Sequence, residues 1–122
     1  MILADAGFDV FLIQLRGKTH SKRHLNLTSD NREFWKFTLD EHAKFDATSA
    51  VDKVLQLNGA PYLYWVGHSQ GTIVGFMMLA ERPEYNAKVR ALFQFAPVGT
   101  LHGVRGLTRL LNHAFLLMHP IL

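Results

Sequence analysis

Val66-Gly67-His68-Ser69-Gln70-Gly71 is the one stretch of this chain in which residue order alone specifies both a backbone path and a chemistry. It reads Gly-x-Ser-x-Gly, the nucleophile elbow, in which a strand turns sharply into a helix and holds a serine hydroxyl out at the turn. A serine in that turn takes a strained backbone, with positive φ expected. Side chains at Gly67 and Gly71 are expected to collide with the adjoining helix and strand. An ordinary strand-to-helix turn with an incidental serine gives the same five letters, so the flanking sequence has to decide.

On the N-terminal side, Tyr62-Leu63-Tyr64-Trp65-Val66 is an unbroken apolar run, as expected for a strand buried on both faces. On the C-terminal side, Thr72 to Ala80 reads as a buried helix that stops at Arg82, because Pro83 disfavours helical geometry in the residue before it. Strand, elbow and helix are all present. A short helical turn through Lys88 then leads to Val89–Phe95, a further strand broken by Ala96-Pro97.

Upstream, Met1 to Ala6 looks like the last turns of a helix, closed by Gly7 as a left-handed cap. Phe8 to Leu15 is a β-rich run ended by Arg16-Gly17, the first candidate for a parallel strand. From Lys18 to Phe45 periodicity is lost and a long loop is expected, with Phe34, Trp35, Phe37 and Leu39 packing it onto the body. Asp46 is placed to cap the next helix, whose Ala47, Ala50, Val51, Val54 and Leu55 recur at three and four, with Asn58-Gly59 and Pro61 ending it. Alternation of strands and helices predicts an α/β fold with a parallel sheet of about three strands. At the C-terminal end, Leu107, Leu110, Leu111, Ala114, Phe115 and Met118 form an amphipathic stripe, read either as core or as a face toward lipid or a partner.

Composition narrows the classes. A chain of 122 residues, 48% hydrophobic, can bury one core. The formal charge of +3 is spread along the chain, with a modest cluster only from Lys18 to Arg23, which reads as solvated loop and not as a nucleic-acid surface. Without cysteine there is no disulfide framework and no thiolate metal site. No apolar run reaches the ~20 residues of a membrane span, and Asp5 and Asp9 interrupt the N-terminus where the apolar core of a signal peptide would lie. Asn26-Leu27-Thr28 is a glycosylation sequon, usable only in the secretory pathway.

Several histidines are candidate bases or ligands. His68 adjoins Ser69 on a tight turn and should point away from it. His20 and His24 have the spacing of two metal ligands on a helix face, yet their segment has no helical stripe and no third ligand, so no metal site is expected. His102, His113 and His119 follow the serine in triad order, but no aspartate follows Ser69. Glu81 and Glu84 lie at the far end of the elbow helix, away from the strand ends where an orienting carboxylate belongs.

Leu3-Ala4-Asp5-Ala6-Gly7-Phe8-Asp9-Val10, Arg16-Gly17 with Ser21-Lys22-Arg23-His24, Glu33-Phe34-Trp35-Lys36-Phe37, Asp40 to Asp46, Gly67 to Gly71 and Phe95-Ala96-Pro97-Val98 together resemble the acid lipase family, which includes gastric and lysosomal acid lipases. The resemblance covers about residues 1–100 and is weaker after Leu101. It implies residues 1–100 as a partial α/β-hydrolase core with an incomplete sheet, and residues 101–122 as an amphipathic helix resembling the start of the lid region. It further implies Ser69 as nucleophile, the backbone N–H of Gln70 as one oxyanion donor, triacylglycerol or cholesteryl ester substrates, no cofactor, and a secreted or lysosomal location.

A His-Gly segment carrying the second oxyanion donor would precede this chain in that family, so the residues present are expected to be poorly active alone. The alternative is a non-catalytic lipid- or partner-binding protein that keeps the elbow as a structural turn. The resemblance also places another strand between Phe8–Leu15 and the elbow strand. Without it, Phe8–Leu15 is expected either to close onto the elbow strand or to stay apart as a marginal edge, while Tyr62–Val66 pairs with Val89–Phe95.

Overall fold

In the computed structural model of the chain, which describes residues 2–99, Leu63–His68 (β1) and Val89–Phe95 (β2) pair in parallel. Tyr64 lies opposite Ala91, Trp65 opposite Leu92, Val66 opposite Phe93 and Gly67 opposite Gln94, after an irregularity between Leu63 and Tyr64. Both strands are rich in aromatic and β-branched residues, which suit a pleated, half-buried surface. The elbow helix α4, Gln70–Glu81, packs on one face of this sheet and buries Thr72, Val74, Gly75 and Met78.

The other face is open. Burial alternates along β1: Trp65 and Gly67 are buried, whereas Tyr64 and Val66 are 49% and 54% exposed, and Phe93 and Phe95 on β2 are exposed as well. The expectation of a strand buried on both faces is therefore corrected for the described residues. An apolar run has no period of its own to distinguish one covered face from two.

Among the described residues three α-helices precede β1. Ile2–Asp5 (α1) ends at Gly7, which takes φ 90° while Phe8 N–H closes back onto the Leu3 carbonyl at 3.1 Å. Leu39–Glu41 (α2) and Thr48–Asn58 (α3) are joined by a wider π turn, His42–Ala47, so that helical structure runs from Leu39 to the left-handed cap at Gly59. Asp46 is not the cap. The helix opens eight residues earlier, at Thr38, whose hydroxyl accepts from the Asp40 N–H at 3.1 Å while the Glu41 carboxylate accepts from the Thr38 N–H at 2.6 Å, a reciprocal capping box. These bonds to Thr38 hold the Glu41 carboxyl below its ordinary range. Asp46 instead receives the Arg16 backbone N–H at 2.9 Å and the Arg16 guanidinium at 2.7 and 2.8 Å.

The expected long loop is thus shorter, ending at Phe37 and containing a 3-10 turn at Arg32–Trp35. Phe34 is buried and meets Trp35 edge-on at 4.9 Å. Phe37 lies tilted to Trp35 at 6.1 Å. After α4, a 3-10 turn at Pro83–Ala87 returns the chain to β2. This turn is pinned to α3 because Asp52 accepts from the buried Tyr85 hydroxyl at 2.7 Å and from Lys88 Nζ at 2.6 Å.

Phe8–Leu15 forms no strand. Among the described residues no backbone hydrogen bond joins it to β1, which pairs with β2 alone, and Leu12 is 77% exposed. Only Leu15 packs against the core built from Ala43, Ala47, Val51, Trp65, Val74, Met78, Tyr85 and Val89. The reason is elementary: a strand sequence without a neighbouring strand has nowhere to put its backbone groups except water. Pairing of the elbow strand with Val89–Phe95 occurs as expected, and Phe8–Leu15 stays apart. The architecture is α/β with flanking helices and an incomplete sheet, of two strands among the described residues instead of about three. The stripe from Leu107 to Met118 and the 101–122 division lie outside the described residues.

Candidate active site

Ser69 sits between the last residue of β1 and the first of α4, exposed, with φ 50° and ψ −112°. L-residues rarely adopt such a backbone, and it persists only where the surroundings over-determine it. They do so here from both sides. The Ser69 N–H donates to the Phe95 carbonyl of β2 at 3.0 Å, and the Ser69 carbonyl accepts from the Thr72 N–H at 3.0 Å and the Thr72 hydroxyl at 2.6 Å. Thr72 is fully buried and also accepts the Val98 N–H at 2.8 Å, which ties the chain after β2 to the elbow.

The two glycines differ in what they do. A Cβ at Gly67 would stand 2.7 Å from the Gly71 carbonyl oxygen and 2.8 Å from its carbon, besides meeting Gln94 Oε1, so no side chain fits. A Cβ at Gly71 would meet nothing within 4 Å. The expected collision at the second glycine is therefore absent: its backbone is the obstacle that forbids a side chain at the first. Trp65 adds a further tie by donating its indole N–H to the Gly71 carbonyl at 3.1 Å.

As the first residue of α4, Gln70 has a backbone N–H with no intrahelical acceptor, at the helix end where the dipole favours negative charge. Its side-chain amide lies 3.3 Å from Nδ1 of His42. His42, on the π turn, is buried, packs against Phe37 with centroids 5.3 Å apart, and has an Nε2 without a hydrogen-bond partner among the described residues. Neither His42 nor Thr72 was singled out by the sequence. The capping box Thr38-x-x-Glu41 was a usable signal, since it places His42 in the first turns of a helix; for Thr72 no such signal exists.

The remaining predicted residues fall as follows. His68 is exposed at the end of β1, and among the described residues no histidine is hydrogen-bonded to Ser69. His24 is occupied locally, with Nδ1 accepting from the Asn26 and Leu27 N–H groups at 3.1 Å. Asn26 is exposed on that turn. Glu84 pairs with Arg82 at 2.7 Å, and α4 separates both from Ser69 by roughly 16 Å of helix rise. His102, His113 and His119 lie outside the described residues. Among the described residues no helix is long and apolar enough to cross a membrane.

A strand–elbow–helix unit of this geometry beside a parallel strand is the nucleus of an α/β hydrolase, and residues 2–102 match the family described by the alpha/beta hydrolase fold; the chain belongs to that family. Within it the similarity is to acid lipases. The chain is 41% identical over 115 residues to Lipase lipl-3 of Caenorhabditis elegans, covering 93% of this chain and 28% of that protein. It is 43% identical over 105 residues to lysosomal acid lipase/cholesteryl ester hydrolase of Rattus norvegicus, covering 86% and 26%. Against gastric triacylglycerol lipase of Bos taurus it is 41% identical over 106 residues, covering 87% and 27%. The chain spans about a quarter of the length of these relatives.

Proposed function

We propose that Ser69 is the nucleophile of a lipase-type carboxylic ester hydrolase acting on neutral lipid esters, triacylglycerols or cholesteryl esters. One observation carries the reading: Ser69 is exposed at positive φ between β1 and α4, with the N–H of Gln70 at the helix end beside it. In this scheme the Ser69 oxygen attacks the ester carbonyl carbon while a general base takes its proton. The negative oxygen of the tetrahedral intermediate accepts from the Gln70 N–H, the alcohol leaves with a proton, and water then releases the fatty acid from the acyl-serine.

The elbow supplies nucleophile and one donor. No carboxylate–imidazole pair stands at Ser69 among the described residues, and no aspartate follows it in sequence. Residues 1–122 by themselves are therefore expected to turn over ester weakly or not at all. No cofactor enters the scheme. The names of the similar proteins favour a secreted or lysosomal setting, in which Asn26, exposed on its turn, would carry glycan.

A fluorophosphonate probe, which reacts with an activated serine, tests the assignment. Labelling that disappears in Ser69→Ala is the expected result. Absence of labelling under conditions where a complete acid lipase is labelled would overturn the nucleophile reading for this chain and leave a non-catalytic lipid-binding role.

A further inference from the structure

The Asn58-Gly59 pair that stops α3 carries a reactivity that a helix stop does not need. The side-chain carbonyl carbon of an asparagine lies within reach of the main-chain nitrogen of the next residue, and attack there closes a small ring. A side chain on that next residue is the chief steric obstacle. Gly59 has none, and at φ 68° a Cβ added to it would meet nothing within 4 Å, so no neighbouring group closes over the turn. Asn58 and Gly59 are both exposed, which admits water.

The hydrogen bonds at Asn58 favour the same chemistry. The Ala60 N–H donates to Asn58 Oδ1 at 3.0 Å, folding the side chain over the turn and facing the oxygen that turns negative when the nitrogen adds. One bond opposes it: the Gly59 N–H donates to the Leu55 carbonyl at 3.0 Å, so the last turn of α3 must open before the nitrogen is free. Helix ends open most readily. The other described asparagines are worse placed, since Asn26, Asn31 and Asn86 precede Leu27, Arg32 and Ala87, each with a side chain. Asn31 Oδ1 is held by the Thr28 N–H and hydroxyl at 2.8 and 3.1 Å, and the Asn86 amide nitrogen donates to the Leu79 and Pro83 carbonyls at 3.2 and 2.9 Å.

We propose that Asn58 is a self-modification site, at which the folded chain deamidates to aspartate and isoaspartate. The Gly59 nitrogen bonds to Asn58 Cγ and gives up its proton, the Cγ–Nδ2 bond breaks, and ammonia leaves a succinimide ring. Water then adds to one of the two ring carbonyls. Cleavage of the bond between Cγ and the Gly59 nitrogen gives aspartate, whereas cleavage of the original peptide bond leaves the main chain running through Cγ as isoaspartate. Either product puts a carboxylate at the C-terminal end of α3, where the dipole disfavours negative charge. Isoaspartate also lengthens by one methylene the connection that brings Leu63 opposite Val89. The turn has no part in the hydrolytic scheme, so the test needs no ester turnover.

The full chain is incubated at neutral pH, folded and, in parallel, unfolded in urea, and its peptides are resolved chromatographically and by mass into asparagine, aspartate and isoaspartate forms. In the folded sample Asn58 should convert roughly tenfold or more faster than Asn26, Asn31 or Asn86, and in urea, where the Leu55 bond is gone, faster still. Isoaspartate should accompany aspartate, because direct hydrolysis of the amide gives aspartate alone. A folded-state rate at Asn58 within twofold of the other three asparagines, conversion confined to the urea sample, or aspartate without isoaspartate would each overturn the proposal.

Discussion

The indole N–H of Trp65 donates to the carbonyl of Gly71 across 3.1 Å, binding the strand that precedes Ser69 to the helix that follows it. Trp65 is 7% exposed, and its ring also fills the space over Gly75, where an added Cβ would meet Nε1 at 2.9 Å. Trp65→Phe keeps an aromatic ring but removes this tie, leaving the Gly71 carbonyl its helical partner alone. A loss of about 0.5–1.5 kcal/mol in urea denaturation is expected.

Gly67 and Gly71 should respond oppositely to alanine. At Gly67 the new methyl meets main chain, which cannot swing aside, so Gly67→Ala is expected to destabilise by about 1–3 kcal/mol and to abolish any Ser69 labelling. At Gly71 the methyl meets open space inside a helix, where alanine is favoured over glycine by ~1 kcal/mol. Gly71→Ala should therefore be neutral or stabilising, and equal losses in the two variants would contradict the geometry.

Thr72→Val retains shape and removes a hydroxyl that donates to Ser69 and accepts from Val98. Both bonds lie in a fully buried residue, so a destabilisation of about 1–3 kcal/mol is expected. Faster amide exchange at Val98 should accompany it. Unchanged exchange there would mean that the chain after β2 is held by something other than Thr72.

The Asp52–Lys88 pair makes a pH-dependent contribution. Asp52 is held below the ordinary aspartate range, first by the Lys88 hydrogen bond and then by that from Tyr85, while the same carboxylate raises Lys88. The depressed acid stabilises the fold above its unfolded pKa of ~3.9 and ceases to do so as the pH falls through its folded value. The raised Lys88 stabilises the fold below its unfolded pKa of ~10.4 and ceases to do so as the pH rises through its folded value. Both side chains are more than a third exposed, which limits Asp52→Asn to ~1 kcal/mol or less at pH 7. That difference from the native chain should shrink in acid, measured by urea midpoints at pH 7 and about pH 3. An undiminished difference in acid would assign the effect to packing of Tyr85.

How much of this was legible differs from element to element. The elbow, the partner strand Val89–Phe95 and the stop at Arg82 were readable because each is governed by local chemistry: glycines around a turn, β-rich composition, a proline after a helix. Helix onset at Thr38 was equally local and was missed only because Asp46 offered a second plausible cap farther along. Phe8–Leu15 failed for a different reason, since its residues do favour a strand but a strand is a property of a pair. The exposure of Tyr64 and Phe93 was illegible in the same sense, depending on what lies over the sheet. His42 and Thr72 matter through contacts 28 and 26 residues away in sequence, which no local pattern reports.

The backbone at Ser69 sets the fold and the hydroxyl against each other. Its side chain makes no capping bond to the helix it precedes, so glycine at that position would relieve a strain of about 1–3 kcal/mol and lose only ~0.4–1 kcal/mol through a freer unfolded chain. Ala96, at φ 48°, offers the same relief with no reactive group involved. Ser69→Gly and Ala96→Gly should thus both raise the melting temperature, whereas only the first removes the hydroxyl. A population of this chain enriched for heat resistance alone would drift to glycine at residue 69, and the first trait to vanish from it would be the one on which the proposed chemistry depends.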